Sequence, residues 1–203
     1  MAYQLEFTAQ NKGELEEKLL TWGKVAPERD KRRGKQTPLE RFILNRFLIC
    51  QLKSLGLVFP ITVMKGENPD FMILAGNKMV GIEVVEGCDQ LEQQNWTKWH
   101  KEAGDNVRSI NLMNPDRPRL FSKIINDTIA KKCDKASLHC DDLLIYSNTD
   151  SDSFEDADWK LTTLSSLPEC MDKFSKVWLL SGTDLIELRE RKVHARDVTD
   201  LYG

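Results

Sequence analysis

The sequence predicts a single α/β domain, residues 1–203, with the element order α-β-β-β-α-β and a C-terminal hairpin. Three observations point there. A broad apolar stripe of helical period runs from Leu39 to Leu55. Three short aliphatic runs, separated by turn residues, follow between Pro60 and Glu86. A second helical stripe from Leu120 to Lys135 then leads into the fully apolar Leu143-Leu144-Ile145-Tyr146. On this reading residues 1–36 are an N-terminal helix and basic connector, 37–147 the core, and 148–203 an acidic loop and hairpin.

The elements follow in order. Tyr3–Phe7 reads as a short strand, and Glu14–Trp22 as a short helix with Leu15, Leu19 and Trp22 at helical spacing. Residues 26–36 carry Pro, Gly and many charges and form a connector. Thr37-Pro38 supplies an N-cap followed by proline at the first helical position. In the helix it opens, Leu39, Phe42, Ile43, Phe47, Leu48, Leu52 and Leu55 make a stripe broad enough to lie buried against a sheet, and Gly56 ends it. Pro60–Met64, Phe71–Ala75 and Met79–Glu86 are strands, punctuated by Gly66–Pro69 and Gly76-Asn77. A helix is expected over Leu91–Lys101, then a loop closing on Asn114–Pro118. The second stripe sets Phe121, Ile124, Ile125, Thr128 and Ile129 on one face. The run at 143–146 has the continuous apolarity of a strand covered on both faces. Asn148–Asp158 is an acidic loop, Pro168–Phe174 a helical turn, and Val177–Leu180 with Leu185–Leu188 a hairpin about Gly182-Thr183.

Composition excludes several classes. No run of about 18 apolar residues is present, so no membrane partner is expected. The start, Met-Ala-Tyr-Gln-Leu-Glu, lacks the basic and apolar regions of a signal peptide, which implies a cytoplasmic protein. Five cysteines at irregular spacing, with no CxxC pair, form neither a disulfide framework nor a zinc site. The three histidines, His100, His139 and His194, share no ligand spacing. His100 beside Trp96 and Trp99 suits either a base-stacking groove or ordinary core. No Gly-rich phosphate loop and no nucleophile elbow is present. The net charge of −3 is unevenly spread. Lys24 to Arg46 holds eight Lys/Arg against three Asp/Glu, while Asp141 to Asp158 holds seven acids and no base. The first stretch can meet phosphates, with Arg32, Arg33, Lys35 and Arg41 as the contacts; both stretches also suit plain solvated surface.

The chemistry concentrates in Asn68-Pro69-Asp70-Phe71-Met72-Ile73 and Val80-Gly81-Ile82-Glu83-Val84-Val85-Glu86. Each of two successive strands carries an acid in an apolar run, which is costly unless the charge is paired, solvated or bound to metal. Twelve residues separate Asp70 from Glu83, a hairpin length that brings both carboxylates to one face. Two such hard oxygen ligands suit Mg²⁺ (or Mn²⁺), which keeps waters and takes phosphate oxygens. By strand alternation Glu86 points away from Glu83.

Pro69-Asp70 with Glu83 inside Gly-Ile-Glu-Val-Val, set in this element order, resembles the PD-(D/E)XK nuclease superfamily over Thr37 to about Tyr146. The resemblance implies a restriction-endonuclease-like fold, with a mixed central sheet flanked by helices, and metal-dependent endonuclease activity on DNA. It implies Asp70, Glu83 and the backbone carbonyl of Val84 as metal ligands, with Glu40 on the first helix adding a contact through water or a second ion. Glu40 in a first helical turn also fits a plain dipole role. The family's lysine, two residues after the acid, is here Val85. Three readings follow: Lys132 on the second helix stands in, with Lys123 and Lys131 nearby; another polar group substitutes; or catalysis is lost. DNA is the expected partner, RNA is a further candidate, and a homodimer would suit double-strand cleavage. The alternative function is a catalytically inactive nuclease-like module that binds nucleic acid or protein.

Overall fold

The computed structural model describes residues 3–25, 36–54, 57–88, 117–135, 140–147, 157–182 and 184–195. Their elements are β1 (Gln4–Ala9), α1 (Lys12–Leu19), α2 (Gln36–Ser54), β2 (Ile61–Lys65), β3 (Phe71–Ala75), β4 (Lys78–Gly87), α3 (Arg117–Cys133), β5 (Asp142–Ser147), α4 (Ala157–Thr163), a 3₁₀ turn (Glu169–Lys173), β6 (Lys176–Ser181), β7 (Asp184–Glu187) and β8 (Lys192–Ala195). The helix expected at Leu91–Lys101 lies outside the described residues, as do Trp96, Trp99, His100 and His139.

The eight strands form one mixed sheet in chain order, β1 through β8. β1 to β4 are antiparallel neighbours, β4-β5 and β5-β6 are parallel, and β6 to β8 are antiparallel again. The two parallel joints follow from the intervening chain, since a parallel neighbour needs a crossover and α3 lies in the first one. α1 and α2 lie between the antiparallel β1 and β2, while short turns make the other antiparallel joints. Ala75 pairs Lys78, so Gly76-Asn77 is a two-residue turn, and Gly76 takes a φ of 59° that other residues rarely adopt.

Alternation along the strands builds two cores. Phe71, Ile73, Ile82, Val84, Leu144, Trp178, Leu180 and Leu185 face α1 and α2. Leu143, Ile145, Val177, Leu179 and Ile186 face the opposite way, against Phe121, Ile125, Ile129 and Cys133 of α3 and Leu164 beyond α4. Central strands buried on both sides account for unbroken runs such as Asp142-Leu143-Leu144-Ile145. α2 is covered as its stripe requires, with Ile43, Leu44, Phe47, Leu48, Ile49 and Cys50 all buried. Buried Asn45 ties α1 to α2, its amide donating to the carbonyls of Leu19 and Trp22.

Three sequence expectations change. α2 begins at Gln36, so Thr37 falls in the first turn and does not cap it. Pro38 remains tolerated there because first-turn amides have no intrahelical acceptor. Of the acidic loop expected over Asn148–Asp158, Ala157 and Asp158 open α4 and residues 148–156 lie outside the described residues; Asp142, upstream of it, is buried in β5, where the Trp178 indole donates to it at 3.0 Å. The C-terminal hairpin extends into a third strand, β8, whose Lys192-Val193-His194-Ala195 has too little apolar contrast to announce itself. The five cysteines are all free thiols, as their spacing suggests.

Candidate metal centre

Asp70 closes the β2-β3 turn immediately before β3. Phe71 pairs with Ile82, and beyond that pair β4 continues while β3 does not. The amide of Val84 therefore has no partner on β3, and the Asp70 carboxylate accepts it at 2.9 Å. The acid at position 70 thus does the work of a strand at the point where two strands part.

Three charged neighbours converge on this point. Glu40, from the first turns of α2, and Lys65, from the end of β2, form an ion pair at 3.0 Å. The same Lys65 ammonium lies 3.5 Å from the Asp70 carboxylate and donates to the carbonyls of Gly66 and Asp70. Glu83, on β4, is held by Lys132 of α3 at 2.5 Å. Lys132 follows Ile129 by three residues, so it flanks the buried stripe and its long stem reaches over the sheet. Asp70, Glu40 and Lys65 are nearly closed to solvent, whereas about a fifth of the Glu83 side chain and a quarter of Lys132 are open.

The electrostatics follow from that packing. Burial first, then the charges of Glu40 and Glu83, push the Asp70 carboxyl up to about 6, against the lowering by the Val84 amide and Lys65. An acid raised by two other acids marks a place where a cation is favoured. Burial and the charge of Glu83 likewise push the Cys140 thiol up to about 12, which keeps it protonated beside the site.

The expected pair, Asp70 and Glu83, is thus brought together with Glu40 and Lys132. Val84 contributes its amide to Asp70, and Val85, in place of a lysine, packs into the α3 core. Glu86 falls on the opposite face from Glu83. Lys65 and Cys140 were missed: Lys65 looks like a strand-end lysine, and only the fold sets it between two acids. Arg41 is engaged elsewhere, pairing with Glu6 at 2.6 Å. Burial raises the Glu6 carboxyl, but the hydrogen bonds from Arg41 and Trp22 prevail and hold it below the usual range. Arg32, Arg33 and Lys35 lie outside the described residues.

Comparison with protein-family models, curated proteins and solved structures found no match. The functional reading therefore rests on the residues themselves. Their donor set, two carboxylates and a carbonyl, is chemically suited to Mg²⁺ or Mn²⁺. The oxygens of Asp70, Glu83 and Glu40 do not all come within 4.8 Å of one another; among the described residues that closeness belongs to Glu187, Glu190 and His194. No helix among the described residues is long and apolar enough to cross a membrane.

Proposed function

We propose that this protein is a metal-dependent endonuclease with a restriction-endonuclease-like core, cleaving phosphodiester bonds in DNA. The observation that carries the proposal is the Asp70 carboxyl, pushed up by its burial and then by the charges of Glu40 and Glu83 at the splay between β3 and β4. The element order α2-β2-β3-β4-α3-β5 supports it, as does an ammonium delivered by α3 where the strand offers Val85. Asp70, Glu83 and the Val84 carbonyl would hold Mg²⁺ or Mn²⁺, with Glu40 assisting through water. When bound, the ion supplies charge neutralisation at the phosphate and acidifies water.

The side chains divide the remaining work. Asp70 is oriented by the Val84 amide and cannot swing away without orphaning it. Glu83, the more accessible acid, can accept a proton from an attacking water. Lys132, already beside Glu83, brings positive charge to the phosphoryl oxygens as negative charge builds on them. Lys65 offsets part of the negative charge of Glu40 and Asp70 until the cation arrives. DNA contacts fall to Arg32, Arg33 and Lys35 of the basic connector, and a homodimer would place two such centres for double-strand cleavage.

Lys65 and Lys132 together also suit a second reading, in which ammonium groups permanently replace the metal and the domain only binds nucleic acid or protein. Nicking of supercoiled plasmid in Mg²⁺ or Mn²⁺ separates the two. The nuclease reading expects cleavage by the native chain, abolished by EDTA and by D70A and E83A, and reduced roughly 100-fold or more in K132A. Equal cleavage by all variants would mean a contaminant and end the assignment. Absence of cleavage and of Mn²⁺ binding in the folded native chain would leave the binding module, and an RNA substrate would appear as cleavage confined to RNA.

A further inference from the structure

A second polar cluster stands at the far side of the sheet. Glu187 ends β7, His194 lies in β8, and Glu190 sits in the turn between them. One ligand atom from each lies within 4.8 Å of the other two. From Glu83 on β4 the cluster is three strand spacings away, about 14 Å, so it shares no residue with the candidate nuclease centre.

The state of His194 is the informative observation. Its side chain is 4% exposed, and its buried Nε2 makes no well-aligned hydrogen bond, the Glu187 carboxylate being its electrostatic partner. A buried polar atom without a well-placed partner is destabilising, so nearly all in folded proteins have one. The nearest anion is the Glu187 carboxylate, 3.4 Å from Nε2. That separation matches the edge between two ligands bound to one ion at about 2.0–2.2 Å in a tetrahedral site. Glu187 is itself 2% exposed and would complete such a pair.

The surroundings hold the third ligand in reach. Arg189 donates to the carbonyls of Phe174 and Ser175 and to Asp172, and Arg191, at φ 52°, donates to the carbonyls of Leu161 and Leu164. These anchors on either side fix the turn that carries Glu190. The Trp178 ring packs edge-on against His194, centroids 5.0 Å apart, and restrains the imidazole. Lys176 is the only ammonium that an ion pair joins to the cluster among the described residues, 3.3 Å from Glu187, and its side chain is 42% exposed. It neutralises Glu187 and lies over the Trp178 ring, 4.9 Å from its centroid, with its half-exposed stem leaving a way out to solvent.

We propose that Glu187, Glu190 and His194 bind a divalent transition-metal cation of the Zn²⁺ type, displacing Lys176 and cross-linking the two strands and the turn of the β7-β8 hairpin at the sheet edge. Two carboxylates balance a charge of +2. The imidazole selects against Mg²⁺ and Ca²⁺, which take oxygen ligands, and in favour of borderline ions such as Zn²⁺ and Co²⁺.

The test is titration of the metal-free protein with Co²⁺ alone, read by its visible absorption and by quenching of tryptophan fluorescence, to which Trp178 contributes beside the site. It is run on the native chain and on D70N/E83Q, so that loss of the nuclease centre and loss of this site are separable. The proposal expects one Co²⁺ with the strong visible band of low coordination number in both backgrounds. The band disappears in H194Q, affinity falls roughly tenfold or more in E190Q, and K176M binds several-fold tighter because its competing ammonium is gone. E190Q changes an exposed turn residue and leaves the core intact, so it decides the matter if H194Q fails to fold. Absence of the band, or a band and affinity unchanged by E190Q, would overturn the proposal, whatever the plasmid assay gives.

Discussion

Replacing Asp70 with asparagine should make the metal-free protein more stable while destroying its candidate active centre. The Asp70 carboxyl is held at about 6 against an ordinary 3.8, a difference of about two pH units. At 1.36 kcal/mol per unit, keeping it ionised in the native state costs about 3 kcal/mol well above pH 6. Because the folded value is the higher one, the native state binds a proton between about pH 4 and 6 that the unfolded chain has released. Stability therefore falls as pH rises through that window and stays at its reduced level above it. The asparagine side chain would keep an acceptor for the Val84 amide, and it would lose only the 3.5 Å contact to Lys65, which retains Glu40 at 3.0 Å and two carbonyls. The net expectation is a gain of about 2 kcal/mol at pH 7.5, shrinking towards zero near pH 4. Urea unfolding followed by tryptophan fluorescence in EDTA, native against D70N at several pH values, measures it. If D70N is destabilised, or shifted equally at every pH, the buried charge is not the governing term and the reasoning fails.

Two further outcomes follow from packing. Lys160 is 1% exposed and donates to Asp184 at 2.9 Å and to the Ser181 carbonyl, so K160M should cost about 3–5 kcal/mol by leaving a buried carboxylate unpaired; a urea midpoint unchanged within error would refute this. Ile125 is fully buried on the α3 stripe that carries Lys132, so I125A should cost about 2–5 kcal/mol, and in the endonuclease reading it should slow cleavage more than it weakens DNA binding by displacing Lys132. Thermal melts together with nicking rates check both halves.

The sequence alone determined the elements whose signal is local periodicity. The stripe at Leu39–Leu52, the turns at Gly66–Pro69 and Gly76-Asn77, and the apolar runs of β3, β4 and β5 each announce themselves within a few residues, because burial on one or two faces writes a period of 3.6, of 2 or none. The acids at Asp70 and Glu83 stood out for the same reason: an ionisable group in an apolar run is expensive wherever the run ends up. Tertiary structure decided which charges meet. Lys65 reaches Glu40 and Asp70 because β2 ends beside the first turns of α2. Lys132 finds Glu83 across 49 residues of chain because α3 crosses β4 on the face that Glu83 shares with Val85. Arg41, one of a run of basic residues in the sequence, is taken by Glu6 from β1. His194, unremarkable in sequence, becomes a buried imidazole facing a carboxylate only once β8 sets it beside Trp178 and Glu187. Hydrophobic burial is written residue by residue and reads locally, but an ion pair is a statement about two distant positions, and only the folded sheet brings them within the few ångströms over which charge decides chemistry.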